Sequence, residues 1–315
     1  MLVAREQAAA RRLRPELPAS YGDAEVCIRA LQRLCDSGHS GVVASDNGRA
    51  LAVMTAAVRD SRAIGRYARL PAEGFAVNPD LTDPTGVLAT LYGQFAPRLI
   101  AGGAPRHYLL HAALPRLHEA LSNLGFGRDG VYGIQPVAPR RTSSTVTVRV
   151  AGAADLDTIA RLALVEILHR ATPPMFAAPD NPPHTDLVAH HRALHDSGAV
   201  HLLAALDGRD VGLLTIELTS PEPRLCPDGQ SYIGPTATLP GARRRGVGQA
   251  VVAAAHTWAD AHGYRWISVD FAAADPLSRP FWLNAGFQPT GYGLIRLIDP
   301  APAEAEPPPT TGQTR

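Results

Sequence analysis

Two apolar stretches, each broken by a turn dipeptide, recur along this chain. Gly41–Ala57 (GVVASDNGRALAVMTAA) alternates as two strands around Asp46-Asn47-Gly48, and Val200–Glu217 (VHLLAALDGRDVGLLTIE) predicts the same hairpin around Asp207-Gly208. Further on, His107–Phe126 and Trp266–Phe287 each read as a strand, a loop, a short helix and then Gly-Phe. Gly48 and Gly208 lie 160 residues apart, and Gly125 and Gly286 lie 161 apart. Two independent anchors that agree to one residue predict a tandem repeat of one domain.

The remaining pattern fits two copies. Ala138–Ser144 is a polar, proline-containing junction, after which Thr145–Val150 (TVTVRV) alternates as a strand and Ala154–His169 carries Leu156, Ile159, Leu162 and Leu164 at core positions of a helix. Ala171–Thr185 holds too many prolines for a helix or a central strand, so it predicts a loop that walls a substrate pocket. Ser231–Leu239 reads as a short uncharged strand, and Val251–His262 as a helix with Val251, Val252, Ala255, Trp258 and Ala259 on one face. These readings give domains at 1–140 and 141–299, and a Pro/Glu/Thr-rich tail at 300–315 that is expected to be disordered.

Between that strand and that helix lies Pro240–Ala250, PGARRRGVGQA. A glycine-rich turn entering a helix gathers free backbone N–H groups at the positive end of the helix dipole, which suits a pyrophosphate. Gly246 and Gly248 are expected to admit the ligand close to the backbone, with three arginines adding positive charge. The turn is neither a dinucleotide fingerprint nor a P-loop, because Gln249-Ala250-Val251 follows Gly248 and no Lys-Ser/Thr pair is present. A basic turn that merely joins two elements is the plainer reading of the glycines alone.

Composition narrows the function. The chain has 315 residues, 45% hydrophobic and 19% charged with net charge +1, which fits an ordinary globular protein and gives no reason to expect a nucleic-acid surface. All basic residues are arginine, so Schiff-base chemistry and a lysine base are excluded. Cys27, Cys35 and Cys226 are scattered without C-x-x-C spacing, suggesting neither disulfides nor zinc. His184, His190, His191 and His195 include an i, i+4 pair but no third ligand, so no metal is expected and an exposed helix face accounts for them better. The charged N-terminus lacks a signal-peptide core and no apolar run reaches membrane length, so a cytoplasmic protein without membrane contact is expected.

With these elements in order, the second half resembles the GNAT superfamily of acyl-CoA-dependent N-acyltransferases. Its cofactor motif, R/Q-x-x-G-x-G/A, is matched by Arg243, Gly246 and Gly248, and its later aromatic-pair motif by Phe281-Trp282 followed by Gly286-Phe287. The resemblance spans roughly 145–298 and implies an α/β (α+β) fold of tandem GNAT-like domains, each a mixed, mostly antiparallel sheet flanked by helices. It implies acetyl-CoA or another acyl-CoA as acyl donor. The pyrophosphate would be held by the segment Arg243, Arg244, Arg245, Gly246, Val247, Gly248, Gln249 and Ala250, and the pantetheine arm by Thr236, Ala237 and Thr238, with Ser278 and Trp282 also against the cofactor. The tandem arrangement is similar to that of mycothiol synthases in architecture alone, and no substrate follows from it.

Two departures bear on chemistry. Trp282 stands where many family members have a tyrosine that protonates the leaving thiolate, and an indole is only a donor. The strand before the cofactor loop carries no acid, leaving Asp270 and Glu217 as first candidates for the base that frees the amine, ahead of His201 and Tyr232. In the first half, the segment Val77–Gly93 lacks the glycine pair and places Asp80 and Asp83 where arginine is expected, so that repeat reads as a scaffold without a cofactor loop. Three functions stay open: acyl transfer from CoA to a small-molecule amine, transfer from the phosphopantetheine arm of an acyl carrier protein, and a non-catalytic acyl-CoA-binding module.

Overall fold

The structure is a computed structural model that describes residues 1–61, 64–140, 145–177 and 182–299. Part of the expected junction at 138–144, part of the proline-rich loop and the whole 300–315 tail fall outside these residues. The first half runs α1 (Leu2–Leu13), α2 (Ala24–Asp36), β1 (Ser40–Asp46), β2 (Arg49–Ser61), β3 (Gly65–Leu70), β4 (Phe75–Val77), α3 (Thr85–Ala101), β5 (Arg106–Ala112), α4 (Pro115–Asn123) and β6 (Gly127–Pro136). The second runs β7 (Val146–Val150), α5 (Leu156–Arg170), α6 (His184–Asp196), β8 (Val200–Leu206), β9 (Arg209–Glu217), β10 (Gln230–Thr238), α7 (Val247–Ala261), β11 (Trp266–Ala272), α8 (Ser278–Asn284) and β12 (Gln288–Leu297). No helix among them is long and apolar enough to cross a membrane.

The two hairpins are built alike. Asn47-Gly48 has φ of 48° and 76°, and Asp207-Gly208 has 53° and 74°, the pair of left-handed residues that a tight primed turn requires. Each hairpin also shifts register once, at Ala44/Ser45 and at Ala204/Ala205, again 160 residues apart. Each half then buries one helix against its sheet. Leu88, Leu91 and Phe95 of α3 pack with Leu109, while Val247, Val251 and Ala255 of α7 pack with Val269 and Phe287.

The halves share one mostly antiparallel sheet of order β1-β2-β3-β5-β12-β6-β11-β10-β9-β8-β7, with β4 beside β2. Its centre is a strand exchange. The last strand of the second half, β12, pairs with β5 of the first, and the last strand of the first half, β6, pairs with β11 of the second; β6 and β12 pair with each other. The first half therefore supplies the strand next to β11.

Two sequence expectations change. Helix α7 starts at Val247 rather than Val251. Gly248 and Gln249 interrupt the apolar period, but Val247 and Ala250 are buried on the same face as Val251, so packing extends the helix back to the glycine turn. On α6, His184 and His190 are exposed, but His191 is 1% exposed and wedged 5.2 Å from the His201 ring, so the histidines do not form one solvent face. Burial holds His191 neutral, with a pKa pushed down to about 4. Among the described residues no cluster of three metal-ligating side chains occurs, and all three cysteines are free.

Candidate active site

Strand β10 forks away from β11. The two pair in parallel only from Gln230 to Ile233, and a bulge at Gly234-Pro235 then turns Thr236, Ala237 and Thr238 onto β9 alone. The β11 side of that edge is left open, offering peptide groups to an extended ligand as a sheet edge does. The fork widens into a cleft of about 1340 Å³.

At one end of the cleft stands the N-terminus of α7. Its N-cap, Gly246, is left-handed at φ 84° and has no side chain to accept from the first-turn amides of residues 247–249. A Cβ on Gly246 would meet open space. Gly248 plays a part beyond the one expected of it: its missing side chain is filled by the Phe281 ring, 3.0 Å from where a Cβ would stand. That glycine seats α7 against α8 while its backbone lines the cleft.

The arginines divide. Arg244, itself left-handed at φ 62°, lines the cleft, and Arg243 lines it while its Nε donates back to the Thr238 carbonyl at 3.4 Å. Arg245 does not line it. Its guanidinium pairs at 3.1 Å with Asp207 in the hairpin turn, because the αL step at Arg244 swings the next side chain outward. All the other residues assigned to the cofactor from sequence, including Ser278 and Trp282, line the cleft. Trp282 is nonetheless 4% exposed, with its ring edge-on to Phe281 at 4.9 Å and to Phe287 at 5.3 Å. It is a packing residue in the wall.

At the mouth of the fork the acids gather. Asp270 points into the cleft while Val269 and Phe271, its neighbours on β11, are buried against α7. Its carboxylate opens into the cleft but is ringed by protein, and it accepts a hydrogen bond from the Tyr232 hydroxyl. Burial raises its pKa, against the pull of Tyr232 and Arg170. Glu217 lies over Gly234, where any Cβ would overlap its carboxylate, and its pKa is raised by burial and by the Asp270 charge. The bulge glycine is thus the signal in the sequence that a side chain from β9 crosses the strand.

Sequence reasoning missed several cleft residues. Glu166 on α5 lines it, paired with Arg170 at 3.8 Å, and is raised first by burial. His169 bonds Asp275 at 3.2 Å, and Asp275 in turn accepts from the Leu277 amide at 2.8 Å, fixing the entry to α8. These hydrogen bonds outweigh burial and lower the Asp275 pKa. Met175 and Ala177, by contrast, belong to the proline-rich loop expected to wall a pocket, and they line the cleft. Tyr108, Arg128, Asp129 and Gly130 come from the first half, which no motif within the second half could have revealed. His201, a weaker candidate from sequence, bonds Thr215 at 2.9 Å beneath α6, outside the cleft.

A forked strand, an uncapped helix start and an aromatic wall line one cleft, and residues 162–287 match the model of the Acetyltransferase (GNAT) family. Residues 162–287 thus carry a GNAT acetyltransferase domain, of the acyl-CoA-dependent acyltransferase kind. The GCN5-related N-acetyltransferase from Sphaerobacter thermophilus superposes with TM-score 0.60 at 19% identity, over 94% of this chain and 90% of its own. A tandem GNAT protein from the clavulanic acid biosynthesis pathway gives TM-score 0.50 at 14% identity, over 97% of this chain and 94% of its own. Both share the fold of this chain, at identities that speak to fold alone. No curated protein sequence matches the chain.

Proposed function

We propose that this GNAT protein transfers an acyl group, foremost acetyl, from acyl-CoA to the amine of a small molecule by direct attack on the thioester. The observation that carries this reading is the meeting, at the mouth of the β10–β11 fork, of a free strand edge, an uncapped helix N-terminus and the Glu217–Asp270–Tyr232 group. The residues fit the donor: amides of residues 244–250 and the Arg243 and Arg244 side chains take the pyrophosphate, and the open edge of Thr236–Thr238 takes the pantetheine amides. Acyl-CoA brings the reactive thioester carbon.

The chain's own acids then serve the amine. An amine reaches the site as an ammonium ion and must lose a proton before it can attack. Carboxylates with raised pKa are better matched to that task near neutral pH than ordinary ones. Asp270, held by Tyr232, takes the proton, with Glu217 across the fork stabilising the cation before transfer. The new C–N bond forms as the C–S bond breaks, and CoA departs as a thiolate, a fair leaving group since thiols ionise near pH 8.5. The second proton of the nitrogen then passes to that thiolate, since the Trp282 indole can donate a hydrogen bond but does not act as an acid.

In this reading residues 141–299 are the catalytic domain and residues 1–140 a repeat without a donor site. Its counterpart turn bears Asp80, which is tied to Arg5 at 3.0 Å and to Arg49. Calorimetry with acetyl-CoA, followed by thiol release with a broad panel of amines, tests the reading. Micromolar binding and amine-dependent release are expected. Binding without release would turn the assignment towards a sensor, and acceptance of a carrier-bound acyl arm without CoA binding would turn it towards the carrier-protein donor.

A further inference from the structure

The acceptor end of the cleft is closed by residues of the first half. Tyr108 stands on β5, two strands away from β6 in the sheet, with β12 between. Its hydroxyl nevertheless lies over Gly130 of β6, 3.4 Å from where a Cβ would be, and over Gly293 of β12, where a Cβ would overlap it. Gly130 and Gly293 are register partners. A paired gap in two adjacent strands thus forms a channel through which the phenol crosses β12. A side chain on Gly293 would block it, whereas a Cβ on Gly130 would only touch the hydroxyl. Ala272 pairs with Gly130 and Asp270 with Tyr132, so the channel opens onto the cleft face that carries the proposed base.

Asp129 precedes the channel glycine and lines the same cleft, where it is exposed. Burial and the charges of Asp129 and Asp270, against the pull of a hydrogen bond with Tyr132, keep the Tyr108 phenol protonated, so it is a neutral hydrogen-bonding group. Neither residue has a part in donor binding or in proton removal as described above. Both sit where an acceptor would extend beyond its reacting nitrogen.

We propose that Tyr108 and Asp129 bind the acceptor: the amine substrate carries a second polar group, hydroxyl or amino, a few atoms from the nucleophile, and the first half reads it. This rests on the acyl-transfer reading above. A neutral hydrogen bond discriminates modestly, whereas a buried polar site left unpaired discriminates strongly.

The test uses the full chain, acetyl-CoA and three acceptors of matched length, n-butylamine, aminobutanol and putrescine. The wild type is expected to favour aminobutanol or putrescine over n-butylamine in kcat/KM by about tenfold or more. Tyr108→Phe is expected to raise the KM for the preferred acceptor by about tenfold while the KM for acetyl-CoA and the melting temperature hold. Asp129→Asn should abolish any preference for putrescine. Gly293→Ala, which pushes the phenol out of its channel, should copy Tyr108→Phe if it folds, and Tyr108→Phe alone decides if it does not. Equal use of the three acceptors by the wild type, or an unchanged preference in both the Tyr108 and Asp129 variants, overturns this inference and leaves acyl transfer standing. No transfer by the wild type to any amine overturns both.

Discussion

The two halves place acidic and apolar residues in opposite positions on one scaffold. In β11 the cleft-facing residue is Asp270, while at the same register in β5 it is Leu110, buried with Ala72, Tyr132 and Leu225. Glu217 at the end of one hairpin corresponds to Ala57 at the end of the other, 160 residues earlier. Where Tyr232 precedes the fork in β10, Arg69 precedes the break in β3 and pairs with Glu222. The first helices keep one acid in common: Glu6 of α1 lies 160 residues before Glu166 of α5, and burial raises the pKa of both. The fork itself is plugged in the first half, because Leu225 from the β9–β10 connection lies over Gly291 and against Leu110. A fold can evidently keep its sheet, hairpin turns and bulges while only a few inward positions decide whether a cleft stays open and charged.

The sharpest way to break this contrast is to give the second half the first half's residue. Asp270→Leu, the Leu110 state, is expected to lower kcat by roughly 10²–10⁴-fold, the usual worth of a general base, with acetyl-CoA affinity unchanged by calorimetry. An unimpaired rate would remove Asp270 from the mechanism. Next in size, Glu217→Ala, the Ala57 state, or Gly234→Ala, whose Cβ displaces the same carboxylate, should cost about 10–100-fold in kcat/KM. The pH profile carries its own sign. Both acids are raised by burial and act as bases when deprotonated, so kcat/KM should rise with pH through a limb lying above the ordinary carboxylate range of about 4. In Asp270→Asn that limb should shift or vanish.

A third test concerns the first half and stability rather than rate. Glu6 is 4% exposed, and burial, only partly offset by Arg116 at 3.9 Å, raises its pKa from 4.5 to about 7. A carboxyl raised on folding binds its proton more tightly in the native state. Its contribution is therefore fully present below about pH 4.5 and is lost as pH rises through about 7. The loss is on the order of 3 kcal/mol at most. Melting temperatures of Glu6→Gln, measured from pH 5 to 8, should show a flatter profile than the wild type. Parallel profiles would mean that Glu6 ionises freely.

Much of this was legible in the sequence because it is written in local rules. Hairpins announce themselves through Asn-Gly and Asp-Gly, the repeat through two glycine spacings, and the donor turn through Arg243, Gly246 and Gly248. What stayed hidden depends on strands meeting across the sheet. Strand exchange brings Tyr108 and Asp129 to a cleft whose motifs lie more than a hundred residues away. The αL step at Arg244 that turns Arg245 out to Asp207 has no sequence signature, since arginine is no usual left-handed residue. The packing role of Gly248 is hidden for a related reason: a motif glycine looks the same whether a ligand or a phenyl ring fills the space beside it.

That last ambiguity yields the smallest expected effects. Arg244→Ala removes a charge that lines the cleft, and Arg245→Ala removes one paired with Asp207 outside it. Exposed phosphate contacts are screened by salt, so the loss in acetyl-CoA affinity for Arg244→Ala should be about three- to tenfold at low ionic strength and smaller at high. For Arg245→Ala it should be close to nothing. Equal losses in the two variants would mean that a general positive field, shared by the whole turn, draws the donor in. A loss confined to Arg244→Ala, measured by calorimetry at two salt concentrations, would mark the αL step as the device that separates a ligand-facing arginine from a structural one. The first half, whose turn carries Asp80 tied to Arg5 and Arg49, has no such division to test.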